Sequence, residues 1–372
     1  MLQYATTLVD ISPLHPSPFF TDGMPLCPRL ITLKLQKPRI MKLRNSLLAL
    51  GLLAYALPGM AQRTAHGTEP FAHTYSIVAR DPETGEMGVA VQSHWFSVGT
   101  IVSWGEAGVG VIATQSFVNP AYGQKGLELM KNGLTADQAL AALLANDEGR
   151  EVRQVAMMDA QGNVVAHTGA NCVLAAGHFV GENFSVQANM MDKATVWPAM
   201  AKAFEETEGP LAERMLAALE AAQAEGGDLR GKQSAALLVV EPTNTGQPWL
   251  DRQVDIQIAD SPDPLGELRR QLAVARAYQY MNQGDLYVEE GAFDKAMEAY
   301  GAAEKMFPEN KEMKFWHAVT LANIGEVEEA LPLFAEVYAD GGENWRVMID
   351  RLIAPGLLTV STADLARIKA AK

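Results

Sequence analysis

Three apolar runs rich in β-branched residues follow one another between residues 74 and 118, and they constrain the fold more than any other feature of the chain. They cover residues 74–80, 88–95 and 108–116, with glycine-containing turns between them. Such runs predict β-strands, and tight turns between them predict antiparallel pairing. Each run carries small polar residues at one end, as at Thr74. Polar side chains at the ends of neighbouring strands converge, so the block predicts a sheet with a polar site at one end.

The rest of the segment 74–262 alternates between blocks of helix and blocks of strand. Helices are expected within 122–146, where Thr135 caps the second of them. Further along the chain, the sequence predicts strands at 152–159, 164–167 and 184–190, helices at 195–207 and 211–225, and final strands at 234–241 and 254–258. Helices between blocks of paired strands predict an α+β fold in which helices cover a sandwich of sheets.

The segment 263–372 lacks strand signals and is rich in Ala, Glu and Leu, which predicts an all-helical domain. A 34-residue period relates Gly291, Ala296 and Tyr300 to Gly325, Ala330 and Phe334. This period fits the tetratricopeptide pattern of paired helices, although a generic pair of helical hairpins is an equal alternative. Either interpretation predicts a docking surface for a protein partner or for the main domain, and not a site of chemistry.

The N-terminal region has the pattern of a secretory signal peptide preceded by an irregular segment. Met41 opens a short positively charged stretch, an apolar run covers 46–57, and small residues precede a predicted cleavage site after Ala61. The apolar run is shorter than the roughly 20 residues that a membrane span needs. We therefore expect residues 1–40 to be a mis-called upstream extension, 41–61 a signal peptide and 62–73 a linker. The protein would then be exported, and periplasmic or extracellular.

Charge and cysteine content limit the partners. The formal net charge is -14, and it would be -18 without the first 61 residues, which argues against nucleic acid or an anionic membrane as the main partner. Cys172 is the one cysteine after that cleavage, so no internal disulfide is expected. His167 lies close to it in sequence, but spacing alone does not establish a Cys–His pair. We expect no metal, no cofactor and no membrane span. The sequence is compatible with a homo-oligomer and with a monomer.

Five pieces of the sequence together resemble the DUF1028 family, over roughly residues 73–270. They are the strands 74–79 and 88–93 and the segments 113–116, 119–123 and 226–235. The family is assigned to the N-terminal nucleophile (Ntn) hydrolase superfamily. The resemblance implies a four-layer αββα sandwich over 74–262. It also implies a small all-α, tetratricopeptide-like extension over 263–372.

The resemblance to Ntn hydrolases implies a specific chemistry. The first residue of the mature chain attacks an amide carbonyl, and its own α-amine takes the proton. An α-amine suits that role because its pKa is about 7.7–8.0. Thr74 is the implied nucleophile, but the predicted signal cleavage leaves residues 62–73 attached, and an acylated nitrogen is not a base. A second cleavage between His73 and Thr74 is required, by self-processing or by another protease.

The polar residues near the strand ends supply the rest of the candidate site. The catalytic candidates are Thr74, Ser93, Gln115 and Ser116, and the substrate-binding candidates are Gln92, Asn119, Tyr122, Asp228, Arg230 and Lys232. Amides and hydroxyls can hold a polar substrate or stabilise an oxyanion. Proteasome-like relatives also place a lysine beside the nucleophile. That lysine has no local counterpart here, and Arg80 is a poor substitute because its guanidinium stays protonated.

Each candidate also has a structural interpretation. Strand alternation can leave Ser93 or His94 facing solvent. Asn119 can cap the helix that follows it, and Asp228 and Arg230 can pair simply to fix a loop. Two functions therefore remain. One is an exported Ntn-type amidohydrolase acting on a small amide or peptide bond. The other is a catalytically inactive scaffold that acts as an envelope binding or assembly module through its helical tail.

Overall fold

The computed structural model describes residues 71–339 and 342–372. The predicted upstream extension, the signal peptide and residues 62–70 of the predicted linker lie outside the described residues. The strands, in chain order, are β1 Phe71–Ala72, β2 Thr74–Arg80, β3 Met87–Ser93, β4 Ser103–Glu106, β5 Gly110–Phe117, β6 Arg153–Asp159, β7 Val164–Thr168, β8 Gly177–Gly181, β9 Phe184–Ala188, β10 Ser234–Val240 and β11 Arg252–Ile258.

The strands form two antiparallel sheets. The first has the order β1-β5-β6-β7, with β4 on the same edge of β5 as β1, and the second has the order β11-β10-β3-β2-β9-β8. The helices of the described part are α1 Gly99–Val102, α2 Ala121–Lys131, α3 Ala136–Ala145, α4 Val196–Glu206, α5 Leu211–Ala224, α6 Pro264–Glu289, α7 Phe293–Met306, α8 Lys311–Asn323, α9 Val327–Tyr338, α10 Glu343–Ile353 and α11 Thr362–Ala370.

The two sheets pack face to face between two layers of helices. Val89 of the second sheet and Val111 of the first lie in the apolar core between the sheets. On the outer face of the first sheet, Ile112 packs with α2 and α3, and on the outer face of the second sheet, Ile77 packs with α4, α5 and the start of α6. Alternate residues of a strand thus pack into the core between the sheets and into the core between that sheet and its helices. The result is the four-layer αββα sandwich that the family resemblance implied.

Most of the predicted elements are present with ends shifted by one or a few residues. Thr135 caps α3 through a capping box with Gln138, as its sequence predicted. The short strands β4 and β8 were not predicted, because β4 holds only four residues and glycines bound β8. Phe71 and Ala72, which the sequence analysis placed in a linker, pair with Phe117 and Ser116 of β5.

Consecutive helices pair in the C-terminal region, α6 with α7 and α8 with α9. The predicted 34-residue period relates buried positions, because Ala296 and Ala330 are inaccessible to solvent and so is Phe334. The ring of Tyr300 lies against Gly284, where an added methyl group would come within 2.6 Å of the ring. A small residue on one helix and an aromatic ring on its partner thus set the spacing of the first pair.

No helix in the described ranges is both long and apolar enough to cross a membrane.

Two glycines of the tail give a matched test of this packing. Gly284→Ala should lower the free energy of unfolding by about 1–3 kcal/mol, because its methyl group overlaps the Tyr300 ring. Gly301 lies within α7 with no atom within 4 Å of a built methyl group, so Gly301→Ala should raise that free energy by about 0.5–1 kcal/mol. Urea unfolding measures both. Equal stabilisation by the two substitutions would contradict the close contact.

Candidate functional site

Three buried hydroxyl side chains form a row across the end of the second sheet. Thr74 of β2 lies directly opposite Ser93 of β3, and Ser93 lies opposite Ser234 of β10. Val91, two residues before Ser93, belongs to the core between the sheets, so the row faces the first sheet. All three residues are inaccessible to solvent. The strand-end convergence that the sequence predicted is therefore present, in a buried setting.

The backbone carbonyl of His73 accepts two hydrogen bonds. Ser93 Oγ donates to it at 2.6 Å, and Arg230 Nη2 donates at 2.9 Å. Both donors point at the carbonyl of the peptide bond that joins His73 to Thr74. One of them carries a permanent positive charge. This pair of donors therefore polarises the carbonyl group that precedes the candidate nucleophile.

A buried carboxylate fixes the position of the Arg230 guanidinium. Arg230 Nε donates to Asp228 Oδ1 at 3.0 Å, and Nη2 donates to Oδ2 at 2.7 Å. Asp228 also accepts hydrogen bonds from the backbone amides of Arg230 and His94. Bidentate pairing of this kind adds geometric specificity to the charge interaction. His94 itself contributes its backbone here, and its side chain is exposed.

The hydroxyl group of Thr74 has no hydrogen-bond partner among the described residues, although it is buried. The backbone oxygen of Thr74 is held by the amide of Asn189 at 3.1 Å. Covalent connectivity places a Thr Oγ1 three bonded atoms from the preceding carbonyl carbon, so attack on that carbon closes a five-membered ring. A buried hydroxyl without a partner costs free energy. At this position it also lies next to the carbonyl group that Ser93 and Arg230 contact.

The side chain of His73 is buried in a pocket that forms around it. Its Nδ1 lies 2.5 Å from Asn189 Oδ1, and its ring meets the ring of Phe71 edge-on, with 3.7 Å between the centroids. Burial lowers the pKa of His73 to about 4, against the opposing effect of the Asn189 hydrogen bond. The imidazole is therefore neutral near pH 7, and Nδ1 donates its proton to the Asn189 oxygen.

Buried amide side chains link the two sheets next to this site. Ser76 Oγ donates to Gln115 Oε1 at 2.7 Å, and Gln115 Nε2 donates to Gln154 Oε1 at 2.7 Å. Gln187 Nε2 donates to Ser76 Oγ at 2.6 Å, and Asn189 Nδ2 donates to Gln154 Oε1 at 2.8 Å. Fully paired networks of this kind fix a unique arrangement of a core. Gln115 thus supports the site by holding its neighbours in place.

The structure does not bring Gln92 to Thr74. Gln92 lies opposite Tyr75, and Tyr75 belongs to the core beneath the helices on the outer face of the second sheet. Alternation along β3 therefore turns Gln92 away from Ser93. Ser116 lies beside the site, opposite Ala72 of β1, with a left-handed φ of 72°.

Three other predicted site residues make contacts elsewhere. Asn119 Oδ1 accepts the backbone amide of Ala121 at 3.1 Å, which supports its capping interpretation. Tyr122 donates its hydroxyl to Asp147 on the outer face of the first sheet, and Lys232 pairs with Asp263 at 2.7 Å. None of these three contacts involves Thr74.

Cys172 and His167 do not form a catalytic pair. The Cys172 thiol contacts the backbone oxygen of Arg153, and burial raises the pKa of that thiol. His167 Nε2 lies 2.9 Å from the backbone oxygen of Arg150. A separate cavity of about 680 Å³ is lined by residues of β4, β11 and α2, and none of the predicted site residues is among its described lining residues.

Sequence reasoning missed Asn189, which contacts His73, and the two amides Gln154 and Gln187 of the network beside it. All three lie near or just beyond the ends of β6 and β9. The argument from polar strand ends, extended to those two strands, would have found them. His73 had no such signal, because it lies in what the sequence presents as a linker.

Comparisons with known proteins show a family and two solved structures that the chain is similar to. The DUF1028 family model, described as a family of unknown function, matches residues 74–268. Protein SPO2555 from Silicibacter pomeroyi, a DUF1028 protein of known structure, is 31% identical over 54% of this chain and 88% of its own, with a TM-score of 0.48. Anbu, the ancestral β-subunit from Yersinia bercovieri, is 11% identical over 53% of this chain and 92% of its own, with a TM-score of 0.28. No curated protein matches the chain.

The burial of His73 predicts a pH-dependent stability. Its pKa is about 4 in the folded chain and 6.5 otherwise, so the unfolded chain binds the extra proton between these values. Stability should fall as pH is lowered from 6.5 to 4, by about 3 kcal/mol from this group. The test compares urea unfolding of Thr74→Ala with that of Thr74→Ala/His73→Gln at pH 7 and pH 4.5. An equal loss of stability in both variants would contradict the assignment.

Proposed function

Because the chain belongs to the DUF1028 family and has the αββα sandwich, we propose that it is an Ntn-type amidohydrolase that activates itself by cleaving the bond between His73 and Thr74. Thr74 then acts as the nucleophile on a small amide or peptide bond. The predicted signal peptide would place this activity in the periplasm or outside the cell. The observation that carries the proposal is the His73 carbonyl group, held by Ser93 and Arg230 next to the Thr74 hydroxyl.

The self-cleavage is a balanced two-step reaction. Thr74 Oγ1 attacks the carbonyl carbon of His73, the C–N bond breaks, and the hydroxyl proton ends on the released nitrogen. The product of this step is an ester between His73 and the Thr74 side chain. Water then hydrolyses the ester, which leaves a carboxyl group on His73 and a free α-amine and hydroxyl on Thr74. Negative charge develops on the carbonyl oxygen during attack, and the two donors stabilise that charge.

Burial favours self-processing over cleavage by another protease. His73 and Thr74 are both inaccessible to solvent, and so is Ala72. A protease needs several extended residues in its own cleft, and this segment is instead paired with β5. Cleavage from within requires no exposure of the bond, because the attacking hydroxyl belongs to Thr74 itself.

The same groups serve the mature enzyme. A free α-amine on Thr74 is a base matched to neutral pH, with a pKa of about 7.7–8.0. Ser93 Oγ and Arg230 Nη2, once released from His73, would hold the carbonyl oxygen of a substrate. Arg230 stays protonated, so its role is electrostatic and not that of the missing lysine base.

The alternative function is a catalytically inactive scaffold with an Ntn-like fold. The complete burial of Thr74 favours it, because a substrate cannot reach the hydroxyl while residues 71–73 stay in place. In that case the helical tail would carry the function by binding an envelope protein. Thr74 would then be a structural strand residue.

Intact mass separates the two functions. The wild-type protein from an exporting host should begin at Thr74, and Thr74→Ala should keep the preceding residues. Ser93→Ala and Arg230→Met should each slow cleavage by about 10²–10³-fold, because each removes one donor to the carbonyl. Lys232→Met is the matched control, since its ion pair with Asp263 lies apart from Thr74. A wild-type chain that begins near Gln62 would contradict the proposal.

Activity on external substrates gives a second test. On a panel of peptide and simple amides, the processed wild type should hydrolyse at least one class. Thr74→Ser keeps a hydroxyl and should retain activity, whereas Thr74→Ala should abolish it. Activity that survives in Thr74→Ala would assign the chemistry to another residue.

A further inference from the structure

We infer that residues 71–73 are bound as a peptide substrate is bound. The processed site would accept extended peptides in which an uncharged hydrogen-bonding side chain, such as His or Gln, belongs to the residue that supplies the cleaved carbonyl. This inference rests on the proposed function and adds the class of substrate. Backbone pairing, the carbonyl contacts and the side-chain pocket each support it.

The backbone of the segment is held as an added strand. Phe71 pairs with Phe117 and Ala72 with Ser116, on the edge of β5 that β4 occupies further along. The opposite edge of β5 pairs with β6. Departure of residues 71–73 would therefore open backbone hydrogen-bonding groups at residues 116–117. An open strand edge is a template for an extended peptide.

The carbonyl group of His73 marks the position of the cleaved bond. It is held by Ser93 and Arg230, and the residues on its N-terminal side follow the edge of β5. A substrate that placed its carbonyl group at the same point would extend its preceding two residues along the same edge. Small amides that lack those residues would lose these backbone contacts.

The side-chain pocket requires a hydrogen-bond donor. Asn189 Oδ1 faces His73 Nδ1 at 2.5 Å, and Asn189 Nδ2 is committed to Gln154 Oε1. The amide therefore cannot rotate to offer a donor without losing its bond to Gln154. A carboxylate in the pocket would set oxygen against oxygen. A Lys ammonium would have to be buried near Arg230, which opposes a second positive charge.

Two strained residues flank the segment. Ser116, opposite Ala72, and Met190, directly after Asn189, have left-handed φ values of 72° and 58°. Such conformations cost roughly 1–3 kcal/mol in residues other than glycine and concentrate at functional sites. Here they lie at the two places where the fold holds the segment.

Cleavage would convert the segment into a product with a carboxylate beside Arg230. A peptide ending in a free carboxylate should therefore bind the processed site more tightly than the same peptide ending in an amide. The carboxylate would form an ion pair with the Arg230 guanidinium, whereas an amide would offer the same guanidinium only a neutral carbonyl oxygen. The segment would thus be a product inhibitor until it diffuses away.

Calorimetry on the processed protein tests the pocket with the peptide acids Pro-Phe-Ala-His, Pro-Phe-Ala-Gln and Pro-Phe-Ala-Glu. The His and Gln peptides should bind at least about tenfold more tightly than the Glu peptide, because the Glu side chain offers Asn189 no hydrogen-bond donor. The His peptide amide should bind about tenfold more weakly than its acid, and Arg230→Met should remove that difference. Equal binding of all the peptides, or no binding, would overturn the inference.

A second experiment keeps this test independent of self-processing. In the full-length Thr74→Ala chain, which lacks the nucleophile, Phe71→Asp should unseat β1 and leave the edge of β5 open. Because His73 stays joined to residue 74 in this variant, the probe is the Pro-Phe-Ala peptide amide, which covers only the edge positions. It should bind the double variant at least about tenfold more tightly than it binds Thr74→Ala alone. If the Phe71→Asp variant does not fold, Phe71→Ala takes the place of that substitution.

The two experiments separate the ways of failing. If intact mass shows that the wild-type chain keeps residues 62–73, the proposed function is refuted. Binding of the Pro-Phe-Ala peptide amide to the double variant still decides whether the edge of β5 accepts such a segment. A processed, active protein that binds none of these peptides refutes only the inference about the substrate and leaves the proposed function standing.

Discussion

Polar groups that two packed sheets bury between them are costly unless they find partners inside the sandwich, and this constraint governs the region around Thr74, whose own hydroxyl has no partner among the described residues. Aliphatic side chains such as Val89 and Val111 fill one part of the space between the sheets. In another part, amide side chains form hydrogen bonds from one sheet to the other, as Gln115 does with Ser76. These hydrogen bonds fix how the sheets face each other and therefore where the strand ends meet. The candidate site lies at the edge of this polar part.

The location of positive charge distinguishes this site from one built around a lysine base. Arg230 comes from the loop before β10, and a buried carboxylate holds it in place. A guanidinium that never deprotonates can polarise a carbonyl group but cannot move a proton. The chemistry would then depend on the α-amine of Thr74, which exists only after a backbone bond has broken. Activation and catalysis would thus use the same oxygen-binding groups.

The sequence predicted what depends on local pattern and missed what depends on pairing between distant residues. The β-branched runs identified β2, β3 and β5, and polar strand ends identified Thr74 and Ser93. Strand alternation places Gln92 on the face of β3 that the helices cover. The sequence of β3 alone does not show which of its two faces that is. The contact between His73 and Asn189 joins residues 116 positions apart, and no local signal marks it. Short strands such as β8 hold too few residues to show a period.

Helix α6 has a mechanical consequence for the two halves of the chain. Leu268 and Leu272, in its first half, are part of the core beneath the second sheet, and Ala277 and Met281, further along, belong to the core of the helical tail. It is one continuous helix of 26 residues, so it is about 39 Å long. Because one continuous helix packs in both cores, no flexible linker allows the two parts to rotate against each other. Loss of either core would fray the other, so the two parts would melt as one cooperative unit, and a load on the tail would reach the sheet directly.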